Sequence, residues 1–154
     1  MDYQAFLTDK LTFSAFYGHE ITDNDIHPSL YPHQRTIVQW AVHGGRRAIF
    51  ARFGLGKSVM QLETLRLTIA EAGGRALIIC PLGVRQEFRR DAERLGLTLT
   101  FVRRSDEVEA SDGRIFITNY ESVRDGKLDP NLFTAVSLDE ASVLRAVAAL
   151  VKRT

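Results

Sequence analysis

The chain has 154 residues, about one domain's worth, and its 45% hydrophobic and 25% charged content excludes a disordered or fibrous polypeptide. Its 20 basic residues against 19 acidic ones leave a formal charge of +1, so no bulk field marks a nucleic-acid or membrane partner and any such contact must be local. The single cysteine, Cys80, excludes an internal disulfide and fits a reducing compartment, and no stretch approaches the ~20 apolar residues of a membrane span, so a cytoplasmic protein with no membrane partner is expected.

In chain order, an amphipathic opening gives way to the polar stretch GHEITDNDIHPS at 18 to 29, which places a boundary near Leu30 between a lead-in (1–29) and a domain (30–154). Pro32 suits the first turn of a helix, and Ile37, Trp40, Ala41 and Gly44 share one face until Gly44-Gly45 ends it; Trp40 is expected in the core. RRAIFA (46–51) reads as a short buried strand. Leu62, Leu65, Ile69 and Ala72 then mark a helix that stops at Gly73-Gly74. ALIICP reads as a strand, Val84, Phe88, Ala92 and Leu95 as one helix face, and LTLTFV, RIFITNY and TAVSL as three more strands, before a helical tail. Strands that are almost continuous apolar runs, alternating with helices, predict an α/β fold with a mostly parallel sheet covered on both faces.

Between the RRAIFA strand and its helix lies ARFGLGKS (51–58), close to the phosphate-binding pattern G-x-x-x-x-G-K-[ST] but with alanine first. A glycine loop delivered by a strand and received by a helix N-terminus can wrap phosphates with backbone N–H groups. Here these would run from Gly54 through Leu55, Gly56 and Lys57 into Ser58 and Val59. Lys57 would reach the β- and γ-phosphates of ATP, and the Ser58 hydroxyl would hold Mg²⁺. A metal-dependent phosphoryl transfer also needs carboxylates, and TAVSLDEAS supplies them where a strand ends: Asp139 to hold Mg²⁺ through water and Glu140 as general base. Taken alone, an Asp-Glu pair after a strand is a solvated helix start; the loop upstream is what favours chemistry.

These motifs together resemble the N-terminal RecA-like ATP-binding domain of superfamily-two helicases, in particular the Swi/Snf-related DNA translocases and their phage or prophage relatives. LYPHQRTIVQW looks like that family's opening segment, and ARFGLGKS like its motif I, where alanine in first place is common. ALIICPLGVRQEF and IFITNYESV resemble its next two motifs, and SLDEAS its DExx box. The likeness covers about residues 30 to 145. It implies a P-loop NTPase that couples ATP hydrolysis to movement on duplex DNA, with Gln34 reading adenine and with Arg85, Arg89, Thr118, Asn119 and Tyr120 near the nucleic acid. Plain readings compete: Arg85, Arg89, Arg90 and Arg94 are interleaved with Glu87, Asp91 and Glu93, equally a solvated face or a phosphate-contacting stripe, and Thr118 to Tyr120 can be a strand-ending polar turn. The histidines show no metal spacing, and Cys80 reads as a small hydrophobe. After Arg145 the likeness gives out in AVAALVKRT, where helicases of this type continue into a further strand and a second RecA-like lobe with arginine fingers. The expectation is therefore an incomplete first lobe, truncated or split, and the alternative function is a nucleotide- or DNA-binding module, or a non-functional truncated remnant, without turnover.

Overall fold

In the computed structural model the residues described are 18–47, 49 and 56–139. They form α1 (Pro32–Gly44), α2 (Lys57–Ala72), β1 (Ala76–Ile79), α3 (Arg85–Arg94), β2 (Leu99–Phe101), α4 (Ser105–Glu109), β3 (Ile115–Thr118), α5 (Tyr120–Arg124) and β4 (Ala135–Leu138), with single 3₁₀ turns at 23–25, 82–84 and 130–132. Helices α1 and α2 begin and end where the sequence places the signals. Pro32 opens α1 at a position where its missing N–H costs nothing, and Gly45 (φ 74°) and Gly73 (φ 75°) close α1 and α2 in a conformation that other residues avoid.

The four strands are all parallel, in the order β2-β3-β1-β4. Ala76 of β1 stands opposite Ile115 of β3 and Ala135 of β4, so β1 and β3 occupy the centre and are buried throughout. A central parallel strand contacts helices on both sides, and this is why ALII and IFIT are uninterrupted apolar runs. Ala76, Ile78 and Cys80 pack with Ile115 and Ile117 against Val38 and Val42 of α1, Leu62, Leu65 and Ile69 of α2, and Phe88 and Ala92 of α3. Leu77, Ile79 and Phe116 face the opposite way, into a second cluster with Val102, Val108 and Leu128, flanked by Tyr120 and Val123 of α5. Phe88 and Phe116 are 1% and 0% exposed, and full burial of such a ring contributes about 1.5–3 kcal/mol.

The expected architecture is present, with corrections. Trp40 is half exposed and not in the core; α1 buries Val38, Ala41 and Val42, and the Arg47 guanidinium covers the indole from 5.3 Å. Ala72 lies exposed at the end of α2. Of the RRAIFA segment, Ala48, Phe50 and Ala51 lie outside the described residues, as does the tail from Glu140 onward. Arg46, Arg47 and Ile49 carry no strand assignment.

The polar stretch from 18 to 30 folds onto the same core. Gly18 and His19 donate backbone N–H groups to the carbonyls of His43 and Val42, while Ile26 and Leu30 are buried with the α1 and α2 side chains. Its anchor is Glu63 of α2, fully buried, which accepts the His27 N–H at 2.8 Å and pairs with Arg66. Arg66 in turn donates to the Asp25 carbonyl, and Arg35 donates to the carbonyls of Asp23 and His27.

Candidate functional site

The first turn of α2 meets the end of β4. Asp139, one residue past that strand, donates its N–H to the Ile79 carbonyl, which holds it beside the end of β1, and it is 5% exposed. Lys57, the first residue of α2, places Nζ 3.4 Å from Asp139 Oδ1. Gln61, one helical turn on, donates to the same oxygen at 3.1 Å and accepts the Ser137 hydroxyl at 2.8 Å, so its amide ties α2 to β4. The Tyr120 hydroxyl donates to the Asp139 carbonyl. A cation, a carboxylate and a helix N-terminus thus converge, the arrangement in which open α/β sheets hold phosphorylated ligands.

Gln34 reaches this place from α1. Its Oε1 accepts the Tyr31 N–H at 2.9 Å, and its amide lies against Gly56, the residue before α2: a Cβ on Gly56 would fall on Gln34 Nε2. Gly56 also has φ 74°, so the position excludes a side chain twice over, by conformation and by space. Gly54, Leu55 and Glu140 lie outside the described residues, so the loop itself and the expected general base are not described.

Ser58 and Val59 are buried in the first turn of α2. The Ser58 hydroxyl bonds to α3. It donates to Asp91 Oδ2 of α3 at 2.5 Å, with Glu87 Oε1 at 3.2 Å. Asp91, read in the sequence as interleaved with the basic residues on the outer side of α3, is 9% exposed and lies on the packed side of its helix with Phe88 and Ala92. Among the described residues no group of three or more His, Cys, Asp or Glu could cage a metal. Mg²⁺ in a phosphate site needs no such cage, since it takes one or two protein oxygens and completes its shell with phosphate and water. The Ser58 hydroxyl and the Asp139 carboxylate are hard oxygen donors of the right kind, and the residues present fit the ion. Burial pushes the neighbouring Cys80 thiol up to about 11, with Asp139 adding to the rise and Arg85 opposing it, which leaves that cysteine inert near neutral pH.

The other expected contacts divide. Arg89 is exposed, and Arg85 is half-buried with its guanidinium 4.4 Å from the centre of the Phe101 ring, which Arg103 approaches to 5.4 Å. Arg85 and Arg89 line a cavity of about 220 Å³ with Gln86, Leu99, Phe101 and Ile117. Along α3 one ion pair forms among the described residues, Arg94 with Asp91 at 3.8 Å, so most of the basic face is not laced to its acidic neighbours. Thr118 and Asn119 are 1% and 8% exposed, and the Asn119 side chain caps α5 by accepting the Ser122 N–H at 2.8 Å, as a strand-ending turn does.

The Gln61 and Asp91 roles escaped sequence reading, although spacing signals both. Gln61 is four residues from Lys57, and Asp91 is three from Phe88 and four from Leu95, on the inward face.

The chain matches the structure of the Sulfolobus solfataricus SWI2/SNF2 ATPase core in complex with dsDNA with a TM-score of 0.60 over 80% of its length, at 20% identity. The chain has the RecA-like α/β fold. It spans 28% of that solved chain, a little over a quarter. No protein-family model and no curated protein matches it. Among the described residues no helix is long and apolar enough to cross a membrane.

Proposed function

We propose that the chain is the ATP-binding lobe of a Snf2-type DNA-dependent ATPase, which couples ATP hydrolysis to movement along duplex DNA, with residues 30–154 as the lobe and 1–29 as its lead-in. The observation that carries this reading is the convergence of Gln34, Gly56, Lys57 and Asp139, drawn from three separated parts of the sequence, at one end of a parallel sheet. The Lys57 ammonium is 39% exposed beside a buried carboxylate, and from there it can exchange that carboxylate for phosphate.

In this reading Gln34 contacts adenine, and the backbone from Gly54 to Lys57 holds the phosphates at the positive end of α2. Lys57 neutralises charge on the β- and γ-phosphates, and Glu140 positions and deprotonates the attacking water. Ser58 and Asp139 would hold Mg²⁺, which when bound would supply neutralisation of the developing negative charge. Gln61 keeps Asp139 oriented when Lys57 turns to the phosphates.

Arg85 and Arg89 supply backbone contacts to the duplex. Each lost phosphate contact lowers the slope of log affinity against log salt by about one. In fluorescence anisotropy on a labelled duplex, Arg85→Ala/Arg89→Ala is expected to weaken binding uniformly across sequences and to flatten that slope. A slope equal to the parent's removes α3 from the DNA-binding surface.

A further inference from the structure

We infer that Asp91 is a positioning residue for Ser58: it takes the proton of the Ser58 hydroxyl and so orients the oxygen as a ligand for the nucleotide's divalent cation. The inference rests on the nucleotide reading above and adds to it a residue from a different helix. A serine hydroxyl has one proton and two lone pairs. At 2.5 Å from Asp91 Oδ2 and 3.2 Å from Glu87 Oε1, the proton goes to Asp91, and the lone pairs are what a cation would use.

The burial makes the partner necessary. Ser58 is 4% exposed, so water is a poor recipient for the proton of a cation-bound hydroxyl, and a carboxylate is the strongest acceptor a protein can place there. Asp91 is itself 9% exposed, and a buried carboxylate is costly unless it is hydrogen-bonded and faces positive charge. Arg94, at 3.8 Å from its other oxygen, supplies part of that charge, and a cation on Ser58 would supply more. Phe88 and Ala92, both buried, hold the face of α3 that carries Asp91 against the core. Partners that orient a ligand from behind typically change metal affinity by about 10- to 100-fold when removed.

A merely structural bond between α2 and α3 would matter equally with and without the ion, and this separates the two roles. A fluorescent ATP analogue is titrated into the full chain in excess Mg²⁺ and in EDTA, for the parent, Asp91→Asn, Asp91→Glu, Ser58→Ala and the Ser58→Ala/Asp91→Asn double variant. Asp91→Asn is nearly isosteric, and a thermal melt reports whether it folds. The expected result is a Mg²⁺-dependent gain in affinity that falls about 10-fold in Asp91→Asn, is partly restored in Asp91→Glu, and falls no further in the double variant than in Ser58→Ala. Affinity in EDTA stays at the parent's value. An unchanged Mg²⁺ gain in Asp91→Asn, an equal loss in both buffers, or full additivity with Ser58→Ala overturns the role of Asp91 and leaves the nucleotide site standing. A parent chain that binds no nucleotide overturns the nucleotide reading, and the role of Asp91 with it.

Discussion

Replacing Lys57 by alanine is expected to weaken ATP–Mg²⁺ binding by about 100-fold or more while leaving the fold in place. Hydrogen bonds to charged groups contribute about 1.5–3 kcal/mol each. An ammonium serving two phosphates therefore supplies at least ~3 kcal/mol, or two decades of affinity at ~1.4 kcal/mol per decade. The substitution also leaves Asp139 without its cation, so an incoming phosphate meets a bare carboxylate. The folding side is much smaller. Lys57 is 39% exposed, so solvent screens its side of the pair, and the buried Asp139 keeps the Gln61 amide at 3.1 Å. Titration of a fluorescent ATP analogue alongside a thermal melt separates the two effects. Equal affinity in parent and variant would make the Lys57–Asp139 pair structural.

The largest stability loss is expected away from the sheet ends, at Glu63. Its carboxylate is fully buried, and it holds the His27 N–H and the Arg66 guanidinium together. Alanine removes both acceptors. Breaking a buried pair from one side costs about 3–5 kcal/mol. Arg66 is 30% exposed and can turn to solvent, which argues for the lower end, about 3 kcal/mol. For a chain of this size that lowers the melting temperature by about 6–12 °C. Glu63→Gln keeps a neutral acceptor for His27 and should lose less than half as much. A melting temperature within about 2 °C of the parent's in Glu63→Ala would mean that the 18–30 segment is held without Glu63, by its apolar side chains and by the bonds from Arg35, Arg66 and the α1 carbonyls.

Much of the fold was legible because the signals were local. The runs ALII and IFIT can be continuous only where both faces are covered, and Gly45 and Gly73 stop helices for a reason written in their backbone. Helices α4 and α5 have five residues each, too few turns for a 3.6-residue period to show. Trp40 misled because α1 offers two apolar faces. Ile37 and Trp40 define one, Val38 and Val42 the other, and the choice was made by the sheet and by Arg47 covering the indole, a contact with no signature in the sequence.

The candidate site was legible in part for the same reason. Lys57 and Asp139 belong to patterns whose spacing is local, and the structure brings them within 3.4 Å. The segment from 18 to 30 reads as a polar linker since Ile21, Ile26 and Leu30 are its few apolar anchors, while much of its hold on the domain comes from backbone groups bonded to Glu63 and Arg66. Asp91 was hidden by its neighbours: within RRDAER it looks solvated, and only the packing of Phe88 and Ala92 turns it toward Ser58.

The central claim is that ATP lies with its phosphates over the start of α2 and its adenine beside Gln34. Photolabelling of the intact chain with an azido-adenine ATP analogue, mapped by mass spectrometry, tests this directly. The account predicts label on the segment around Tyr31 to Arg35 at the start of α1, suppressed by excess ATP and lost in Lys57→Ala. Label elsewhere in the chain, or label that excess ATP does not suppress, would contradict it.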